Sequence, residues 1–304
     1  MAPVGKSQAG EGAGRAQDLV ALHGAVLLFG TAGLFGKWIA AGPMLIVFGR
    51  VVFAALTLGL LLAARRKGLK LPARRGWWLL GACGVLLVLH WAAFFHSIQV
   101  STVAVGLLAY ATAPVFAVLL EPFWFREPFS LRSLLASMLS LAGVALLIAR
   151  WELGDSTLQG ASWGVVAGSS FAVLSLINRE LRREHDAAEL AFIQDGLAAM
   201  LLLPLLPLFW EQPAPRDLAL LAVLGVVFTA LAHGLYIQAL RGVRVRMATL
   251  VSTMEPVYGV ALAALLLGEF PSPRTIAGGV LILAAVTWVT LKPGTEAETG
   301  KSGP

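Results

Sequence analysis

The chain has 304 residues, of which 58% are hydrophobic and only 13% charged, with a mean hydropathy of +0.80. A soluble domain carries about 25% charged residues, so the composition excludes an ordinary soluble core and points to a polytopic membrane protein. The formal net charge of +6 does not signal nucleic acid, because the cations fall in short loops between apolar stretches, and a lone Cys83 excludes an intrachain disulfide or a cysteine metal site.

Residues 1–18 are polar and rich in Gly and Ala, without an apolar core. They predict a disordered tail and not a cleaved signal peptide. Ten apolar stretches follow, each about as long as a bilayer-spanning helix requires. Their limits are 19–40, 43–63, 77–97, 102–124, 131–149, 159–178, 189–210, 217–239, 247–268 and 274–291, and residues 293–304 form a second polar tail. Helices are expected because lipid offers no partner to an unpaired backbone group. Gly30, Gly33 and Gly36 in the first span suit close helix packing, and Lys37 ends that span where it can snorkel.

Arg50 stands in the second span. In the third, "HWAAFFHSIQ" puts His90, Phe94 and Ser97 on one helical face, with Trp91 and Phe95 beside them. Tyr110, Pro114, Ala117 and Glu121 share a face of the fourth span. Gln194 and Asp195 begin the seventh, where local pairing with Arg179, Arg182 and Arg183 is expected. His233 and Tyr236 lie in the eighth. Ser252, Glu255, Pro256 and Gly259 share a face of the ninth, with Tyr258 nearby.

Lys and Arg favour cytoplasmic loops. With the N-terminus inside, 18 of them fall in inner loops and tails and 3 in outer loops, so both termini are expected to be cytoplasmic. A shift of 142 residues lays the chain on itself without a gap. Pro114 meets Pro256, Glu127 meets Glu269, Ser130 meets Ser272, and Phe94 meets Tyr236. The expected fold is therefore all-α and integral to the membrane: ten transmembrane helices as two five-helix repeats, 19–150 and 159–292, joined by a polar link around Gly154–Gln159. Five is odd, so the second repeat enters from the opposite side and the repeat is inverted. That arrangement lets a central site open to alternate sides.

The segments "APVFAVLLEPFWFREPFSLRSLLASMLSLAGVALLI" and "EPVYGVALAALLLGEFPSPRTIAGGVLILAAVTWV" each carry a proline, a glutamate thirteen residues on and then a small-residue-rich helix. This pattern resembles the EamA-type family of the drug/metabolite transporter superfamily, and the arginine of "VFGRVVFAAL" fits it too. The resemblance covers almost the whole chain. It implies a ten-helix carrier of the cell inner membrane with a central cavity, no cofactor, no ATP hydrolysis, and amino acids or other small metabolites as substrates.

Glu127 and Glu269 follow the ends of spans and are read as fixing turns between neighbouring helices. Glu255 is different, since its counterpart is Ala113 and the fold does not ask for an acid there. Arg50 likewise corresponds to Phe192. Intramembrane ionisable groups usually face an interior or a wet cavity, so both are candidate substrate-binding residues, and a static Arg50–Glu255 pair is the structural alternative. His90, Trp91, Phe94, Tyr110, His233, Tyr236 and Tyr258 complete the candidate wall, and Pro114 and Pro256 are candidate hinges or kinks. A coupling proton carried by Glu255 is a further expectation. Export of an amino-acid-like solute is the first reading. Nothing in the residues sets direction, so uptake stands beside it, and a non-transporting membrane scaffold is the alternative from another class.

Overall fold

Apolar runs of this length have one way to satisfy their backbone in lipid, and the computed structural model shows it: among the described residues there are helices and turns and no strand. The structure describes residues 5–66, 68–70, 74–147, 155–258, 261–262 and 272–291. In chain order the helices are α1 (Gly5–Trp38), α2 (Pro43–Ala64), α3 (Arg74–Val100), α4 (Val103–Tyr110), α5 (Ala113–Phe125), α6 (Leu131–Leu147) and α7 (Asp155–Leu181). Then come α8 (Ala187–Leu202), the one-turn α9 (Leu206–Phe209), α10 (Pro215–Gly225), α11 (Ala232–Ala239), α12 (Val245–Ser252) and α13 (Pro273–Leu291). Among the described residues eight helical stretches are long and apolar enough to cross a membrane, and Leu131–Leu146 is a shorter apolar helix. The chain is a multi-pass membrane protein. The expected ninth span, 247–268, lies partly outside the described residues, as do Gly259, Glu269 and the tail 293–304.

Two boundaries differ from expectation. α1 starts at Gly5, so most of the stretch read as a tail is helical, and Asp18 within it is buried against Gly242. α7 starts at Asp155, inside the expected polar link. An aspartate in the first turn complements the positive end of the helix dipole and lets the helix begin earlier than hydropathy indicates.

Packing joins the first half of the sequence to the second. α2 lies on α8, α3 on α7, α1 on α11 and α6 on α13. Two clusters of buried apolar side chains result. One contains Leu22, Phe94, Tyr110, Phe171 and Tyr236. The other contains Phe35, Val47, Leu87, Trp91 and Leu190. Each draws on both halves.

The helices are interrupted at three places that shape the interior of the bundle. The fourth expected span breaks at Ala111–Thr112, between α4 and α5. The ninth breaks at Thr253–Met254, after which residues 255–258 are helical again. In both breaks a threonine hydroxyl turns back on a carbonyl three residues earlier. Thr112 Oγ1 donates to Ala109 O, and Thr253 Oγ1 to Leu250 O, each at 2.6 Å. The third interruption is a π-helical segment, Val226–Leu231, between α10 and α11. Its wider turn leaves a main-chain carbonyl free to accept from a side chain elsewhere.

Candidate functional site

A cavity with about 500 Å³ of space between its lining atoms lies among α1, α2, α3, α4, α7, α11 and the second break, and only about 40 Å³ of it is wide enough to admit a water. Its polar groups are Arg50, His90, Tyr110, His233 and Glu255. Its apolar wall is Phe29, Ala32, Leu87, Trp91, Phe94, Phe171 and Leu174.

Arg50 is 2% exposed and held on three sides. Its Nε donates to Thr229 Oγ1 at 2.9 Å, its Nη2 donates to the Phe228 carbonyl at 3.2 Å, and the guanidinium lies 3.8 Å from the centroid of the Trp91 ring. Both hydrogen-bond acceptors belong to the π-helical segment. Thr229 Oγ1 donates in turn to Leu224 O at 2.8 Å. The π turn therefore makes the arginine seat, and cation–π contact with a desolvated tryptophan is worth about 2 kcal/mol.

Glu255 is 4% exposed and stands at the first residue after the second break. The Tyr110 hydroxyl donates to its carboxylate and also meets Ser252. Tyr110 is the last residue of α4, at the edge of the first break, so the two breaks meet through this hydrogen bond. Close approach of the backbones is needed for it. A Cβ on Gly30 of α1 would come within 2.6 Å of the Glu255 carbonyl, and one on Gly168 of α7 within 2.8 Å of the Tyr110 carbonyl.

His90 and His233 are buried beside the arginine. His90 Nδ1 is 2.8 Å from the Ala167 carbonyl, which makes it a donor there, and its ring faces Phe94, Tyr110 and Phe171. The His233 ring meets Trp91 edge-on at 5.6 Å, and its Nδ1 has no hydrogen-bond partner among the described residues. The cavity thus presents a fixed cation on one side, a carboxylate on another and aromatic rings between them.

Of the residues expected at a site, Arg50, His90, Trp91, Phe94, Tyr110, His233 and Glu255 line this cavity together. Tyr236 stands one layer behind. It packs on Phe29 and Phe171 and shares a 3.0 Å hydrogen bond with Ser175. Tyr258 is partly buried and engages His23 Nδ1 at 2.8 Å, away from the cavity lining. Pro114 and Pro256 are each the second residue of the helical turn that follows a break. Arg50 and Glu255 do not form an ion pair: Arg50 is occupied by the π segment and Glu255 by Tyr110. Asp195 does not pair with Arg179, Arg182 or Arg183 either. It is fully buried, and the charge that acts on it is Arg50.

Glu121, buried in α5 together with Pro114 and Ala117, lies away from the cavity lining. It is fully buried where the end of α5 meets the end of α7 and the start of α12. Its Oε1 accepts from Arg179 Nη1 and from the Val245 amide, both at 2.8 Å, and its Oε2 lies 3.5 Å from Arg246 Nε. Arg179 Nη2 reaches Glu127 Oε1 at 2.8 Å, and Arg244 Nε lies 3.4 Å from Glu127 Oε2. Glu127 therefore does more than fix a turn: it is part of a charged network that closes one end of the helix bundle. Sequence reading also missed Thr229, Phe29 and Phe171. Thr229 carried a signal, a hydroxyl within the apolar run 218–232 of its span, but nothing in a single sequence announces a π turn.

The EamA-like transporter family model matches residues 18–149 and again 158–291. The chain is 24% identical over 270 residues to an uncharacterized transporter, YxxF, of Bacillus subtilis (strain 168), covering 86% of this chain and 85% of that protein. It is 25% identical over 240 residues to a probable terminal-alkyne amino-acid exporter of Streptantibioticus cattleyicolor, covering 76% and 78%. It is 22% identical over 206 residues to an S-adenosylmethionine uptake transporter of Rickettsia felis, covering 68% and 69%. A crystal structure with 20% sequence identity superimposes with a TM-score of 0.76 over 91% of this chain and 98% of its own, so the two share a fold. The chain belongs to the EamA-like transporter family.

Proposed function

We propose that this transporter is a secondary carrier of small zwitterionic solutes, amino-acid-like in character, working by alternating access in the cell inner membrane with both termini cytoplasmic. The observation that carries the reading is the cavity itself: a fixed guanidinium and a carboxylate face one space across a wall of aromatic rings. Arg50 suits a solute carboxylate, Glu255 suits an ammonium group, and the rings suit an apolar side chain. The convergence of these polar groups on one space, within walls that are otherwise apolar, is what favours a carrier over a scaffold that only keeps the fold.

The architecture proposed is ten spans in two inverted five-helix repeats, 19–150 and 159–292. Three observations support it. The family model matches twice. The two breaks, at 111–112 and 253–254, are separated by the same 142 residues as the sequence repeat. The pairing of α3 with α7 and of α1 with α11 is what a two-fold exchange of the halves would produce. Interrupted helices at corresponding places in the two halves are where carriers of this design bind solute, and Pro114 and Pro256 are the proposed hinges. The network of Glu121, Glu127, Arg179, Arg244 and Arg246 would be the closed gate of the inner side.

Export is the first reading, and the amino-acid exporter among the relatives supports it. Uptake is the second, supported by the uptake transporter among them. The test is counterflow of labelled amino acids by purified protein in liposomes, wild type against Arg50→Ala. A charge-assisted hydrogen bond is worth about 1.5–3 kcal/mol, so the variant should lose exchange by about ten- to a hundredfold. Exchange unchanged by the substitution would remove Arg50 from the site, and silence of folded wild type across the library would remove the carrier reading.

A further inference from the structure

The proposed function uses Arg50 and Glu255 and leaves another ionisable group of the bundle interior without a role. Asp195 lies within α8 and is fully buried, and among the described residues neither carboxylate oxygen has a hydrogen-bond donor. An ionised carboxylate in that position loses its hydration and gains no direct partner in return. The fold does not require it, since the residue 142 positions earlier is Phe53.

α8 packs against α2, α3, α11 and the π-helical segment. The titratable groups these elements carry into the bundle are Arg50 from α2, Cys83 and His90 from α3, and His233 and Tyr236 from α11, with none in the π segment. Of these, Arg50 is the group whose charge acts on Asp195, and Asp195 is the acid whose charge acts on Arg50. Yet the two are not ion-paired here. Arg50 is turned to Thr229, the Phe228 carbonyl and the face of Trp91.

We propose that Asp195 is a proton-binding site that competes with the solute for Arg50. With a proton on Asp195, the carboxyl is neutral, and Arg50 stays on Trp91, open to an anionic group in the cavity. When the proton leaves for water, the bare carboxylate draws Arg50 across the contact between α2 and α8 and away from the solute. A proton and a solute carboxylate therefore bind together, and each raises the affinity for the other by the same factor. Under an inward proton gradient this co-binding drives uptake, the second of the two readings of direction and not export, so the site bears on direction as well as on coupling. Its solute half rests on the carrier reading; its proton half does not.

The test is a pH titration of the purified full-length protein in lipid bilayers, with infrared difference spectra following the C=O stretch of protonated carboxyl groups. The proton itself is the ligand, so no solute need be known. A titrating carboxyl band is expected in wild type, lost in Asp195→Asn and retained in Glu255→Gln. Asp195→Glu keeps a carboxyl and should displace the band in frequency, which guards against misfolding of the amide variant. Arg50→Gln should change the pH at which the band titrates. A wild-type spectrum with no titrating carboxyl, a band untouched in Asp195→Asn, or a band lost only in Glu255→Gln would overturn the proton site. A titration unmoved by Arg50→Gln would overturn the competition. Amino-acid counterflow in the same bilayers separates the two proposals: a band without counterflow keeps this site and removes the carrier, and counterflow without a band does the reverse.

Discussion

The break at Ala111–Thr112 and the break at Thr253–Met254 share a backbone and differ in their acids. Both interrupt an apolar helix, both turn a threonine hydroxyl onto a carbonyl at 2.6 Å, and both have proline two residues on. Both set a carbonyl against a glycine on the first helix of the opposite half. The first break, however, is followed by Ala113 and the second by Glu255. Eight residues further on the situation reverses, with Glu121 in the first half and Ala263 in the second. What the halves share belongs to the fold. What they do not share divides into an anchor, Glu121, and a proposed site group, Glu255.

The largest expected effect breaks the anchor. Glu121 is fully buried and satisfies Arg179, Arg246 and the Val245 amide at once. Removing one partner of a buried charge network leaves cations uncompensated and costs about 3–5 kcal/mol. Glu121→Ala should therefore lower the unfolding free energy in detergent by that amount, read from a denaturant titration. A loss under about 1 kcal/mol, the range of an exposed ion pair, would show that the network is not an anchor.

Next comes Glu255. If it is a site group, Glu255→Gln keeps an acceptor for Tyr110 and should leave stability nearly unchanged, while exchange of zwitterionic amino acids falls by about ten- to a hundredfold through loss of a charge-assisted contact. The opposite pattern, collapsed stability with intact exchange, would make the two acids alike and dissolve the comparison.

The helical membrane class and most of the residues that line the cavity were legible in the sequence, for reasons that can be named. Arg50 and Glu255 broke both the hydrophobic pattern and the repeat, and these two anomalies singled out residues that line one cavity. The membrane class followed from composition alone. Asp195 was misplaced, and Glu121 was left without a role, because a helical face can be read from spacing but its partner helix cannot: Asp195 lies in α8, which packs on α2, and Arg50 is the charge that acts on it, while Glu121 meets the end of α7 and the start of α12. The π turn that seats Arg50 was invisible because it changes hydrogen bonding without changing hydropathy. The early start of α1 was missed since polar residues can extend a helix that apolar ones begin.

A smaller effect sharpens the comparison at the glycines. Gly30→Ala and Gly168→Ala both insert a methyl against a carbonyl, at 2.6 and 2.8 Å. Overpacking of this kind costs about 1–3 kcal/mol, so both variants should melt earlier. Only Gly30 presses on the residue that carries the proposed site carboxylate. Gly30→Ala should therefore impair exchange beyond its effect on stability, whereas Gly168→Ala should act on stability first. Equal effects of the two on exchange would mean that the breaks move as one.

The smallest effect concerns the prolines. Each sits in the first turn of a resumed helix, where its missing N–H would have gone unpaired in any case. The breaks themselves are held by Thr112 and Thr253, which keep their carbonyl contacts without it. Replacing a proline at a site whose backbone suits it loses only about 0.4–1 kcal/mol, through the greater freedom of the unfolded chain. Pro114→Ala and Pro256→Ala should thus shift the melting temperature little and alike. Their kinetics should differ. As proposed hinges both should slow counterflow when replaced, and Pro256→Ala the more, because Pro256 adjoins Glu255 and a looser second break lets the carboxylate wander from Tyr110. If both slow it equally, the two breaks are matched hinges of one exchange of conformations, and the carboxylate rides on a motion that the backbone alone provides.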